Sequence, residues 1–328
     1  MKTQPDFQRR AVLLGAGAAL LATTSTRASS KWQPTKPIKI IVTFPPGGNA
    51  DLMGRLFGKH LSQSLGIPVV IENRVGAAGA IGMAYAAREE PDGHSLLLGD
   101  IGTQVTTPIA EPTVSYDPQR DFAAISRLTS VSLLLLTHPK LGFSNASEFL
   151  AHARANPGKL TYASAGGGTP SRFAMEALKA AAGVDLLHVP YKGSGPAIVD
   201  LVGGQVDCMI DGGSASMVKS GKLTLLGVTG DRSPAFPTMP ALSEAAVPGF
   251  RFMSWHGIFA PRATPQAAIA RLSEEIALIG AKPEVVATLR DLGINAMTQG
   301  PSDFEAFISS QRQGLRTLVR ERNIRFGA

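Results

Sequence analysis

The sequence predicts an α/β protein of two lobes, each a mixed sheet flanked by helices, with a hinge and a central cleft between them. Three observations predict it. Short runs rich in β-branched residues alternate with amphipathic helical stretches, as in a parallel sheet covered by helices. That alternation occurs twice, once before residue 122 and again after residue 139. Two strand-forming stretches, 122–139 and 251–261, stand where the chain can leave one sheet and later return to it. The composition agrees: 328 residues exceed a single minimal core, and 44% hydrophobic with 17% charged residues exclude a disordered chain.

The elements follow in order. IKIIVTF (38–44) is a buried strand stopped by Pro45-Pro46-Gly47-Gly48. In residues 50–66, Leu52, Met53, Leu56, Phe57, Leu61 and Leu65 recur at three- and four-residue steps, the face of a helix closed by Gly66. VVIEN (69–73) is a strand, 79–90 a helix and HSLLLGD (94–100) a strand. After the long stretch 122–139, Asn145 and Glu148 form a capping box for a helix to about residue 155. LTYASAG (160–166) is a strand, and Thr169-Pro170 opens a helix to about residue 182. LLHVPY (186–191), VDCMID (206–211) and LTLLGVTG (223–230) are strands, with a short helix between Gly195-Pro196 and Gly203-Gly204. Helices then start at Thr264-Pro265, at Pro283 and at a Ser302–Glu305 capping box. Residues 29–133 with 252–328 are assigned to the first lobe and 134–251 to the second.

The N-terminus is read apart from the fold. MKTQPDFQRR precedes an apolar run at 11–22, too short to span a bilayer, and Thr26-Arg27-Ala28 is a small-residue exit. Residues 1–28 therefore read as a cleaved secretory signal, of the twin-arginine type through Arg9-Arg10 or of the ordinary type. The net charge of +7 falls to +4 on their removal, with 28 basic and 24 acidic residues left and no dense basic tract. Nucleic acid is not an expected partner. One cysteine, Cys208, excludes a disulfide framework, and six scattered histidines lack metal-site spacing. No cofactor is expected, since neither a phosphate loop nor a dinucleotide fingerprint is present.

Two loops carry the chemistry. Phe44-Pro45-Pro46-Gly47-Gly48-Asn49-Ala50-Asp51 joins a strand to a helix start, where backbone N–H groups and the helix dipole favour an anion. Asn49 is the expected N-cap, with Asp51 tying down loop amides. Ser164-Ala165-Gly166-Gly167-Gly168-Thr169 repeats the form in the second lobe. Either loop alone is also a plain tight turn; one in each lobe can grip a carboxylate from both sides. Arg172 is a solvated surface residue or a carboxylate ligand. Asp211, at the end of a strand, is a loop-capping acid or a ligand for an amine. Gly76 to Gly82 reads as a close-packed loop and Cys208 as a buried thiol. No nucleophile elbow or acid–base pair is evident, so an enzyme is not expected.

At these loops the sequence resembles the tripartite tricarboxylate transporter substrate-binding family, the Bug receptors. The resemblance runs in order through PTKPIKIIVTFPPGGNAD, VVIENRVGAAGAIGMAYAAREEPDGHSLLLG, NPGKLTYASAGGGTPSRFAMEAL, HVPYKGSGPAIVDLVGGQVDCMID and GKLTLLGVTGDRSPAFPTMPALSEA. It implies a type II-like periplasmic-binding-protein fold and a monomeric periplasmic receptor that hands a small carboxylate to membrane permease subunits. An exported sensor, or less readily a hydrolase or isomerase, is the alternative. The ligand-binding residues it implies are Phe44, Pro46, Gly47, Gly48, Asn49 and Asp51 in one lobe and Ser164, Ala165, Gly166, Thr169 and Asp211 in the other, with Thr103 and Arg172 beside them. This chain departs from the family pattern at Arg172, where a histidine is common, at Val75, and in Gly99-Asp100-Ile101-Gly102-Thr103.

Overall fold

The computed structural model describes residues 32–326; the expected export signal lies outside them. The first half of the first sheet comprises β1 (Ile38–Val42), β2 (Val69–Asn73), β3 (Ser95–Asp100) and β4 (Phe122–Ser132). The second sheet comprises β5 (Leu134–Thr137), β6 (Thr161–Ser164), β7 (Leu187–Pro190), β8 (Cys208–Asp211) and β9 (Thr224–Val228). The chain then returns to the first sheet with β10 (Met253–Ser254), β11 (His256–Pro261) and β12 (Asn295–Gln299). The strand orders are β10-β4-β11-β3-β1-β2, with β12 also on β4, and β7-β6-β8-β5-β9. Both sheets are mixed: β1 runs parallel to β2 and β3 while β11 is antiparallel, and β6 runs parallel to β7 and β8 while β5 is antiparallel.

Among the described residues the longer helices are α1 (Asn49–Leu65), α2 (Ala80–Ala86), α3 (Ala146–Ala155), α4 (Pro170–Ala182), α5 (Ser194–Val202), α6 (Gln266–Gly280), α7 (Pro283–Asp291) and α8 (Pro301–Glu321). The α1 face differs from the expected one. Met53, Phe57 and Leu61 are buried, whereas Leu52 is exposed. Gly54 and Gly58 share the buried face, because a Cβ at either would stand 3.0 Å from Val42 or Ile71. The glycines let α1 lie tight on β1 and β2, which rotates the helix away from Leu52.

The two long stretches are each interrupted. β4 ends at Ser132 and β5 begins at Leu134, and Trp255 separates β10 from β11. The two crossings run side by side: Met253 and Ser254 pair antiparallel with Ser132 and Val131. Thr229, buried, joins them. Its N–H donates to Leu133 O at 2.9 Å, and its hydroxyl donates to Phe252 O at 2.7 Å and accepts from Leu133 N at 2.9 Å. One side chain thus closes the backbone hydrogen bonding where both strands change sheet.

Several caps differ from expectation. Gly48, not Asn49, is the N-cap of α1, and Gly300 precedes α8, so Ser302 lies within the first turn. Thr169 precedes α4, but its hydroxyl donates back to Gly166 O at 2.8 Å instead of capping. Asn145 does cap α3, accepting from Glu148 N at 2.9 Å. β12 carries no clear strand signal in NAMTQ; it pairs only along β4 and is half-exposed.

Candidate functional site

Loops leave the carboxyl ends of β1 and β3 in one sheet and of β6, β7 and β8 in the other, and the loop after β3 meets the loop after β6. In the first loop, the buried Asp51 carboxylate is the organiser. It accepts from Gly47 N at 3.0 Å, from Asn73 Nδ2 at 3.0 Å and from Arg55 Nε at 2.8 Å. Asn73 Nδ2 also reaches Phe44 O at 3.0 Å. The Arg55 guanidinium, with the Gly47 and Asn73 donors, holds the Asp51 carboxyl down at about 2. Asp51 therefore acts by fixing the loop. Gly47 takes φ +85, a left-handed conformation that glycine adopts without cost. Pro46, Gly47 and Gly48 are exposed, Phe44 and Asn49 half-buried, and the first-turn N–H groups of α1 have no intrahelical partner.

In the second loop Ser164 is buried. Its hydroxyl is 2.7 Å from His188 Nε2 and accepts from Gly166 N at 3.3 Å. His188 stacks on Tyr162, and burial, with Arg172 and Lys179 nearby, lowers its pKa to about 4, so the ring is neutral. Ala165, Gly166, Gly167 and Thr169 are half-buried, and Gly166 takes φ +133. Asp211 is fully engaged: Gly213 N donates at 2.7 Å, Ser214 Oγ at 2.7 Å and Ser194 Oγ at 3.0 Å. It thereby fastens the start of α5 to the end of β8.

Arg172 is not the solvated surface residue that the sequence offered as one alternative: it is buried against the end of the chain, under Arg325 and Phe326. Its Nη2 donates to Arg325 O at 2.6 Å, and its guanidinium lies under the Phe326 ring at 5.0 Å. Phe326 in turn stacks on Phe173 at 4.7 Å. The residues after α8 thus cross from the first lobe to the second and close over the first turn of α4.

Thr103 belongs to a π-helical segment, Gly102–Thr106, of which the sequence marks Gly102 and Thr103. Asp100 Oδ1 accepts from Thr103 N and Oγ1, both at 2.8 Å, and Tyr116 OH donates to Thr103 O at 2.7 Å. From the same segment Thr106 Oγ1 donates to Gly168 O at 2.7 Å, with Thr107 Oγ1 at 3.4 Å. These bonds join the loop after β3 to the glycine loop after β6 and set the two carboxyl-end surfaces face to face. A Cβ on Gly168 would stand 3.2 Å from Thr107 Cα, so glycine suits this close approach. Gly79, at φ +94, packs against Thr103 and Thr43 on the first-lobe side, and the buried Thr43 hydroxyl has no hydrogen-bond partner among the described residues. Asn73, Thr106 and Ser194 were missed by the sequence reading. The one local signal was the threonine cluster at 103, 106 and 107, which recurs at helical spacing.

The arrangement is suited to holding an anion on backbone amides. Ser164 is not an activated nucleophile: it is fully buried, and the neutral His188 beside it stacks on Tyr162 with no carboxylate among the described residues orienting it. Cys208 is buried with its thiol pKa pushed up by desolvation. Among the described residues no cluster of three His, Cys, Asp or Glu can hold a metal, and no helix is long and apolar enough to cross a membrane.

The model of the tripartite tricarboxylate transporter family receptor matches residues 53–324. The chain belongs to this receptor family. Its members are substrate-binding receptors, not enzymes. Among solved structures, the periplasmic binding protein BugD is 31% identical at a TM-score of 0.76, covering 89% of this receptor and 99% of BugD. Rpa4515 of R. palustris, solved with adipate, is 29% identical at a TM-score of 0.79, covering 88% and 97%. MatC of Rhodopseudomonas palustris, solved with malate, is 31% identical at a TM-score of 0.75, covering 87% and 99%. The two-lobed fold of this receptor is that of the periplasmic binding proteins.

Proposed function

We propose that this receptor is exported to the periplasm, takes a small organic carboxylate in its cleft and delivers it to the membrane permease subunits of a tripartite tricarboxylate transporter. One observation carries the reading: a strand, a glycine loop and a helix start occur at the carboxyl end of each sheet, facing one another across the Thr106–Gly168 contact. One carboxylate of the ligand is held by the first-turn N–H groups of α1 and by backbone N–H groups of the loop at 164–169, Gly47 N being already given to Asp51. Asp51 and Asp211 stay behind the loops and fix their shape, because both are already saturated with donors. Hydrogen bonds to a charged acceptor are each worth about 1.5–3 kcal/mol. Three or four of them approach the roughly 8 kcal/mol of a micromolar complex after ordering costs. The lobes close about the paired crossings at Leu133 and Phe252, where Thr229 is the shared pivot. That the adipate- and malate-bound neighbours share the fold supports a dicarboxylate. The basic, apolar and small-residue pattern of residues 1–28 supports cleavage after Ala28.

The test is a thermal-shift screen of the chain from residue 29 against mono-, di- and tricarboxylates, amino acids and neutral analogues. A ligand that binds only the folded state raises the melting temperature. The reading expects carboxylates to do so and their amides and esters not to.

A further inference from the structure

Away from the cleft, α8 carries Arg312, Arg316 and Arg320 at four-residue steps, which places them on one helix face. They line a groove of about 470 Å³ with Gln119, Ser309 and Thr317. None of the three arginines has a carboxylate within ion-pair distance among the described residues. Arg312 is 93% buried, being 7% exposed, and among the described residues its Nη1 has no hydrogen-bond partner while its Nη2 reaches Gln104 O at 3.3 Å. The nearby acids are committed elsewhere or distant. Asp117 caps Gln119 N and Arg120 N, and Glu305 touches Arg312 only through its field. A buried guanidinium lacking a counter-charge is costly, and burial lowers the pKa of Arg312 accordingly. Two further exposed cations on the same face deepen the positive potential and leave the hydroxyls of Ser309 and Thr317 to donate beside them.

We infer that this groove on α8 is a second anion site, separate from the cleft, that takes a phosphate-class oxyanion, either free or as a lipid headgroup. Arg316 and Arg320 grip the oxygens in the fork geometry that suits phosphate, and Arg312 supplies charge from beneath. Arg312 also supports the carbonyl of Gln104 in the π-helical segment, so its own substitution would disturb the cleft. The test therefore uses the two exposed residues. Inorganic phosphate is titrated calorimetrically at low ionic strength into wild type, into Arg316→Ala/Arg320→Ala and into the cleft variant Gly166→Val. In parallel, sedimentation with phosphatidic acid vesicles separates the headgroup from the free ion. The expected result is saturable phosphate or vesicle binding that weakens at least about tenfold in the double variant and persists in Gly166→Val. Binding indifferent to Arg316 and Arg320, binding lost in Gly166→Val, or no binding of either probe up to about 10 mM phosphate overturns the inference.

Discussion

Replacing Asp51 by Asn removes the charge at the centre of the first loop while keeping its shape. The carboxylate accepts from Gly47 N, Asn73 Nδ2 and Arg55 Nε at 2.8–3.0 Å. An amide keeps one acceptor and turns an NH2 group against one of these donors. Losing the Asn73 bond in a buried place and removing the charge from the other two, with the half-exposed Arg55 discounted, costs about 2–3 kcal/mol at neutral pH. The pH dependence has a defined sign. The Asp51 pKa is about 2 in the folded protein against an ordinary 3.8. A depressed carboxyl stabilises the fold above the unfolded value, and that contribution, about 1–2 kcal/mol, is lost as pH falls through the folded value. Urea unfolding of wild type and Asp51→Asn should show a gap that is full above about pH 4 and narrows from there towards about pH 2. The variant should also bind its carboxylate more weakly, because the loop amides lose their anchor. A gap of unchanged size at pH 2 and pH 7, or none at neutral pH, would refute the role assigned to Asp51.

Gly79→Ala forces a side chain into a left-handed position 2.7 Å from Thr103 Cγ2; urea unfolding should register about 2–4 kcal/mol of destabilisation. Gly47→Ala, at φ +85 with nothing within 4 Å, should cost only about 1 kcal/mol by the same measurement. Thr229→Val strands Leu133 N and Phe252 O at the crossing, and its unfolding free energy in urea should fall by about 2–4 kcal/mol. Phe326→Ala removes the stack on Phe173 and the roof over Arg172, about 1–2 kcal/mol, seen as a lower melting temperature. Cys208, buried in β8, should resist a thiol reagent in the native protein and react on unfolding.

Most of the fold was legible because its strands are short β-branched runs punctuated by Gly and Pro, as in IKIIV before PPGG or VVIEN after Gly66-Ile67-Pro68. β12 was not, since a half-exposed strand along β4 needs no apolar alternation. The cap shifts at Gly48 and Gly300 share a cause: glycine can take the cap position with no side-chain bond, so a polar neighbour attracts the prediction. At the site, both glycine loops were visible in the sequence. What the sequence hid was the wiring between distant residues. Arg172 meets Arg325 across 153 positions and Thr106 meets Gly168 across 62. No local pattern encodes either contact. The loop-capping alternative for Asp211 matches its three donors in the structure.

The central claim is that a carboxylate is held jointly by both loops. Calorimetric titration of malate- and adipate-sized dicarboxylates into the wild-type chain from residue 29, beside Gly166→Val, tests it most directly. At φ +133 a β-branched residue strains the second loop while its Cβ meets nothing nearer than 3.5 Å, and circular dichroism of the variant checks that it is folded. The account predicts saturable binding of about micromolar strength in wild type and its loss in the variant. Undiminished binding by folded Gly166→Val, or wild-type binding of neutral analogues and of no carboxylate, would contradict it.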